Sequence, residues 1–173
     1  LPHAELHTRA LWDWLSQLLS IEPSRTIPVV CLDANARLVP IHLWNFDGQQ
    51  LIGPHSPDKD NHAGRIMREY ITRTGLAVLN ILTARSAAPT WHNTKGRASR
   101  PDYILSLPTS MTLPYCPRVL HKAAHRLQLP DTTLLADHSP ILWQCEFTAT
   151  YLRRTASKFS RSMVDMLTSE PTC

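Results

Sequence analysis

Asp137-His138-Ser139-Pro140 stands directly before the alternating run Ile141-Leu142-Trp143-Gln144-Cys145-Glu146-Phe147. The alternation predicts a strand over residues 141–149, with an acid and an imidazole side by side at its mouth. Two other apolar runs carry polar groups at their ends. Val29-Val30-Cys31-Leu32 runs into Asp33-Ala34-Asn35, and Arg100-Pro101-Asp102 opens Tyr103-Ile104-Leu105. Strand ends bearing Asp and Asn, Asp, and Asp-His supply what a metal-assisted phosphoester-cleaving site requires. It needs a carboxylate for the cation, a base for water and donors for the phosphoryl oxygens.

Each of these residues also has a plainer reading. Asp33 and Asn35 suit a strand-end turn, because Asp and Asn side chains bond to nearby backbone. Asp137-His138 fits a turn with a surface histidine. Asp102 fits a solvent-facing strand start, since Pro101 lacks a donor and is tolerated only at an edge or a beginning. Trp91 either stacks on a base or wedges a duplex, or it folds onto the edge of the core. His121 and His125 have the i, i+4 spacing of a helical zinc pair, but no third ligand stands out. Cys31, Cys116, Cys145 and Cys173 lack any C-x-x-C spacing and read as buried reduced thiols of an intracellular protein rather than disulfides or zinc ligands.

The elements that must position these groups follow from periodicity. Residues 5–20 predict an amphipathic helix with Leu11, Trp14, Leu15, Leu18 and Leu19 on its stripe. Trp12 and Trp14 read as core residues. Ile27 to Leu32 is a short unbroken apolar run, the mark of a strand covered on both faces. Residues 45–61 read as loop. Asn61 caps a helix over 63–74 with Ile66, Tyr70 and Ile71 inward, and Gly75 stops it. Leu76 to Leu79 is a second strand, residues 83–101 a polar loop, Tyr103 to Leu105 a third strand, and Val119-Leu120 a short one. The interleaving predicts α/β layers.

At 173 residues, 43% hydrophobic and 18% charged, the chain suits one globular domain over residues 1–149. Residues 150–173, with Arg153, Arg154, Lys158 and Arg161 among Ser and Thr, read as a basic tail or linker. No run approaches the roughly 18 apolar residues of a membrane helix. Net charge is +4. Arg85, Lys95, Arg97, Arg100, Arg118, Lys122 and Arg126 face only Asp102 in their stretch. Such a strip beside a phosphate site would draw in a polyanion.

Five motifs, taken in order, give the chain a resemblance to the endonuclease/exonuclease/phosphatase family. They are Asp33-Ala34-Asn35, Gly75-Leu76-Ala77-Val78-Leu79-Asn80, Thr90-Trp91, Arg100-Pro101-Asp102-Tyr103-Ile104 and Ala136-Asp137-His138-Ser139-Pro140, with Asn61-x-x-Gly64 before the helix also in keeping. Their style resembles the endonuclease of non-LTR retrotransposons more than the inositol-phosphatase branch. Leu32 and Ala34 depart from the family's usual Gly-Asp-Phe-Asn, and Ala136 stands where Ser is common. The resemblance spans residues 3–148. It implies the C-terminal half of a four-layer α/β/β/α sandwich, with the N-terminal half and its metal-binding Glu largely missing, and the opening Leu1-Pro2-His3 suits a fragment.

The resemblance further implies roles. Asp33 would orient or deprotonate the attacking water, and Asn35 would help fix it and the scissile phosphate. Asp137 would serve a Mg²⁺ site that also accepts Mn²⁺. His138 would donate to a phosphoryl oxygen, and Asp102 would hold the imidazole. Asn80, Thr90, Trp91 and Arg100 would bind substrate. The implied activity is Mg²⁺-dependent hydrolysis of nucleic acid, most simply by a DNA endonuclease of retroelement type, in the nucleus or cytoplasm, with weak metal binding and little or no turnover expected of a fragment that lacks the upstream Glu. The implied partners are DNA, and the missing half or a reverse transcriptase region of a parent polypeptide, with no membrane. One rival is a catalytically dead half-domain that binds nucleic acid or a protein. Another is a phosphatase or lipid phosphodiesterase of the same fold.

Overall fold

The computed structural model describes residues 2–22, 26–56, 58–84, 88–93, 95–109, 117–127 and 138–144. Among them the chain mixes helices with small antiparallel sheets. No described helix is long and apolar enough to cross a membrane. The expected basic tail over 150–173 and the strand residues beyond 144 lie outside the described residues.

The first helix, α1 (Pro2–Ile21), spans the predicted region but presents a different face. Trp12 is buried, with Leu15 and Leu19 packed beside it, whereas Leu11 and Trp14 are exposed. Trp12, Leu15 and Leu19 form an i, i+3, i+7 stripe as valid as the expected one. Polar partners select between the two. Arg9 reaches Glu69 at 2.7 Å and Asp13 reaches Arg73 at 2.9 Å on the second helix, which turns Trp12 onto the Tyr70 ring at a centroid distance of 4.5 Å.

That second helix, α2 (His62–Thr74), begins and ends as its sequence demands. Asn61 Oδ1 accepts from the Gly64 amide at 2.7 Å, and Gly75 closes the last turn in the left-handed region. Ile66, Met67, Tyr70 and Ile71 are buried against the sheet. Asn61 does a second job. It also accepts from Arg37 N–H and donates to the Asn35 carbonyl, so the helix cap clasps the loop that follows the first strand. Gly64 permits that approach, because an added Cβ would collide with the Arg37 carbonyl.

The strands are β1 (Val29–Asp33), β2 (Leu43–Trp44), β3 (Gln50–Ile52), β4 (Ala77–Val78), β5 (Trp91–His92), β6 (Ala98–Ser99), β7 (Asp102–Ser106), β8 (Arg118–Val119) and β9 (Ile141–Leu142). A three-stranded sheet runs β1-β7-β4, and β2-β3, β5-β6 and β8-β9 form antiparallel pairs. In β1, Val30 and Leu32 pack on the core while Val29, Cys31 and Asp33 are exposed, so the strand expected to be covered on both faces is covered on one, and Cys31, expected to be buried, stands on the open face. Residues 45–61 and 83–101, expected as loops, contain hairpin strands. Their turns show why: Asn45 and Asn93 each accept two backbone amides, and Gly48 and Gly96 adopt positive φ. After β4 the expected strand gives way to a 3₁₀ turn over Leu79–Ile81. A seven-residue helix, α3 (His121–Leu127), follows β8.

Tyr70 tests the helix interface. Its hydroxyl is buried with no hydrogen-bond partner among the described residues, and burial pushes the phenol up to about 12. The unfolded chain releases that proton near pH 10, so between the two values the folded state binds more protons and stability falls as pH rises. Tyr70→Phe is expected to remove about 1 kcal/mol of the stability loss seen by about pH 11. At about pH 7 it leaves stability unchanged or raised by about 1 kcal/mol, since an unpaired buried hydroxyl disappears. Urea unfolding at both pH values reads the difference.

Candidate functional site

The β1–β7 register places Asp33 directly opposite Asp102. Like charges set across a strand pair repel, so this arrangement calls for a compensating group. His138 is that group. Its Nδ1 lies 3.0 Å from Asp102 Oδ2 and its Nε2 lies 4.0 Å from Asp33 Oδ2. All three side chains reach solvent, at 42% for His138, 45% for Asp33 and 22% for Asp102, so the cluster is open to a ligand. Among the described residues it is the one group of three or more potential metal ligands, its donor atoms lying within 4.8 Å of one another.

Local backbone chemistry aims each member. Asp33 Oδ1 accepts from the Asn35 amide at 3.1 Å, and Asn35 takes a left-handed φ of 46°. The turn reading is thus realised on Oδ1, while Oδ2 is the oxygen that faces His138. Ala34 N–H donates to the Pro101 carbonyl, which extends the pairing of the two strands past Asp33. Pro101 falls just before β7, where its missing amide is harmless. His138 is carried by a segment docked on the β5–β6 hairpin: it bridges Trp91, and Ser139 N–H donates to the Thr90 carbonyl at 2.6 Å.

Asn80, Thr90 and Arg100, expected to touch substrate, are fully buried and act from behind the site instead. Asn80 donates to the Asp102 carbonyl and accepts from Ile104 N–H, both at 3.0 Å. Its side chain continues on β7 the pairing that β4 abandons at the 3₁₀ turn. Arg100 donates through its guanidinium to the carbonyls of Ala88 and Asn80, while its amide donates to Asp58. Burial pulls its basicity down to about 10, partly offset by Tyr103 and the Asp58 carboxylate. Thr90 docks the His138 segment through its backbone. In each case the polar groups are turned inward, beyond reach of a polyanion on the surface.

Trp91 does face open space. A cavity of about 340 Å³ is lined by Asn35, Arg37, Trp91, Asn93, Arg97 and His138, among others. Sequence reasoning placed Arg97 in the basic strip but did not assign Arg37 or Asn93 to the site. The Asn93…Gly96 turn was the available signal, since it predicts a hairpin that projects Arg97. Neither Arg37 nor Arg97 pairs with a carboxylate among the described residues. A second cavity, about 390 Å³, lies on the other side of His138 and includes Cys31, Asp33, Asp102 and Ile141. Asp137, the expected cation ligand, lies outside the described residues. His121, of the spaced histidine pair, has its Nδ1 3.1 Å from Ser139 Oγ and its ring edge-on to His92.

Asn80→Ala is expected to cost about 2–6 kcal/mol, because it strands a carbonyl and an amide of β7 in the interior at about 1–3 kcal/mol apiece. Denaturant unfolding measures the loss, and backbone amide shifts at Asp102 and Asp33 report the displaced strand. Comparison of the chain with family models, with curated proteins and with solved structures finds no match.

Proposed function

We propose that this chain hydrolyses phosphodiester bonds in nucleic acid with Mg²⁺, or Mn²⁺ in its place, as a DNA endonuclease of retroelement type. On this reading its helices and antiparallel sheets are the C-terminal half of a four-layer α/β/β/α sandwich. The observation that carries the proposal is the Asp102–His138–Asp33 line, whose His138 also borders a cavity holding Arg37 and Arg97, two guanidinium groups without a carboxylate partner among the described residues.

The division of labour follows from the donors and acceptors. A carboxylate accepts only, so Asp102 fixes the hydrogen on His138 Nδ1 and leaves Nε2 toward the open site. In the doubly protonated imidazolium, Nε2–H then serves as the donor to a phosphoryl oxygen as charge develops there. Asp33 Oδ1 is committed to the Asn35 amide, and Oδ2 is free to orient or deprotonate water. Asn35 stands exposed at the cavity rim, where its side chain helps fix that water and the phosphate. Arg37 and Arg97 hold the flanking backbone charge, and Trp91 offers a ring face to a base. A Mg²⁺ would be held by Asp137, as the resemblance implies, and would neutralise charge on the phosphoryl oxygens. In-line attack of water leaves a 5′-phosphate and a 3′-hydroxyl.

Nicking of supercoiled plasmid tests this. Mg²⁺-dependent nicking is expected, abolished by EDTA and lowered about 10²–10⁴-fold in His138→Ala. Arg97→Ala and Arg37→Ala are each expected to reduce the salt slope of DNA binding by about 1. Nicking that survives His138→Ala sinks the assignment. Salt-sensitive binding without nicking points to a non-catalytic nucleic-acid module, and phosphate release from small esters alone points to a phosphatase.

A further inference from the structure

Part of the apolar stripe expected to face the core lies on the outside of α1. Leu11, Trp14 and Ile21 are 56%, 54% and 69% exposed, and Leu18 is half-buried. These four follow one another at intervals of three, four and three residues, the spacing of a heptad seam. Trp12, Leu15 and Leu19 pack on the core and leave them uncovered. Charge is absent from the same face. Glu5, Arg9 and Asp13 are the formal charges of α1, and each is engaged elsewhere: Glu5 reaches Arg9 and His62, Arg9 reaches Glu69, and Asp13 reaches Arg73. From Trp14 to Ile21 the helix carries no charge. A surface helix ordinarily turns a charged side to water, so this outward face is built for contact.

The seam complements itself when two copies run antiparallel. Leu11 and Leu18 then stand at a positions, Trp14 and Ile21 at d positions, and each a residue meets a d residue of the other helix. A two-fold axis beside Ser16 sets Leu11 against Ile21 of the second copy and Trp14 against its Leu18. The four layers are apolar throughout. Gln17, exposed next to the axis, meets its own copy with an amide that both donates and accepts. A parallel pair would instead set Trp14 against Trp14, bulk on bulk, with the two macrodipoles side by side in the same sense. We infer that α1 pairs antiparallel with α1 of a second copy of this chain, along Leu11, Trp14, Leu18 and Ile21.

The contact is small. Four side chains on each helix, with their flanks, put roughly 1,000 Å² between the two copies, at the low end of specific interfaces. Such a dimer dissociates at about micromolar concentration. Its two-fold gives the particle two copies of the Asp102–His138–Asp33 cluster. The pairing uses no residue of that cluster, so it stands or falls apart from the hydrolytic reading.

Sedimentation velocity of the 173-residue chain over about 1–200 μM tests the pairing. An equilibrium between one copy and two is expected. Leu11→Glu and Trp14→Glu should each weaken it at least about 10-fold. Leu6→Glu, at an exposed apolar residue outside the seam, should leave it unchanged. Urea midpoints show that the variants fold. Should a Glu variant fail to do so, oxidation of Leu11→Cys combined with Ile21→Cys decides. Within one helix the two positions lie about 15 Å apart, so a bridge from 11 to 21 can only join two copies. That bridge is the expected product, and a bridge from 11 to 11 overturns the antiparallel order. A chain that stays monomeric throughout overturns the inference, as does a dimer that survives both Glu variants. Equal loss in Leu6→Glu, or growth beyond two copies, overturns it too.

Discussion

Two carboxylates facing each other across an antiparallel strand pair are the constraint on which the site depends. The β1–β7 register leaves Asp33 and Asp102 no choice of neighbour, because a slip by one residue would send Val30 and Leu32 out of the core. Burial of the apolar side of β1 and β7 thus enforces an electrostatic opposition on the other side. The imidazole of His138 answers it on one flank through a direct contact and on the other across an open gap. The chemistry proposed for this rim uses that asymmetry.

Holding His138 in place takes a chain of contacts that begins far from it. Asp58 accepts from the Arg100 amide, the Arg100 guanidinium grips the carbonyls of Ala88 and Asn80, and Thr90 then receives Ser139. Asn80 meanwhile ties the 3₁₀ turn to β7. The loop bearing Asn35 is fixed separately by the Asn61 clasp at the start of α2. Loops from both ends of the described chain are therefore referred to one buried frame, which is what a cluster of side chains distant in sequence requires.

Much of this was legible beforehand where a local rule had no competitor. Asn61, Gly75 and the inward Ile66, Tyr70 and Ile71 needed only cap chemistry and a 3.6-residue period. The meeting of Asp33, Asp102 and His138 was implied by the family resemblance that five motifs in order carry. The rotation of α1 was not legible, because two stripes satisfied the same period and ion pairs to α2 chose between them. The hairpins were hidden because strands of two or three residues carry too little alternation to stand out from their polar turns. Asn80, Thr90 and Arg100 were misplaced for a deeper reason. A polar residue in a motif looks the same whether it faces substrate or satisfies buried backbone, and only the three-dimensional partner list separates the two.

Arg100 carries a consequence for how the charge of this chain is to be counted. It contributes one formal unit to the basic stretch, yet that unit is sealed inside the protein against backbone oxygens. It holds no counterion shell to shed when a polyanion arrives, so it adds nothing to the ionic-strength sensitivity of association. Lysine in its place would keep the formal tally and lose the planar fork that spans two carbonyls at once. The cation most deeply written into the strip is, in effect, part of the masonry.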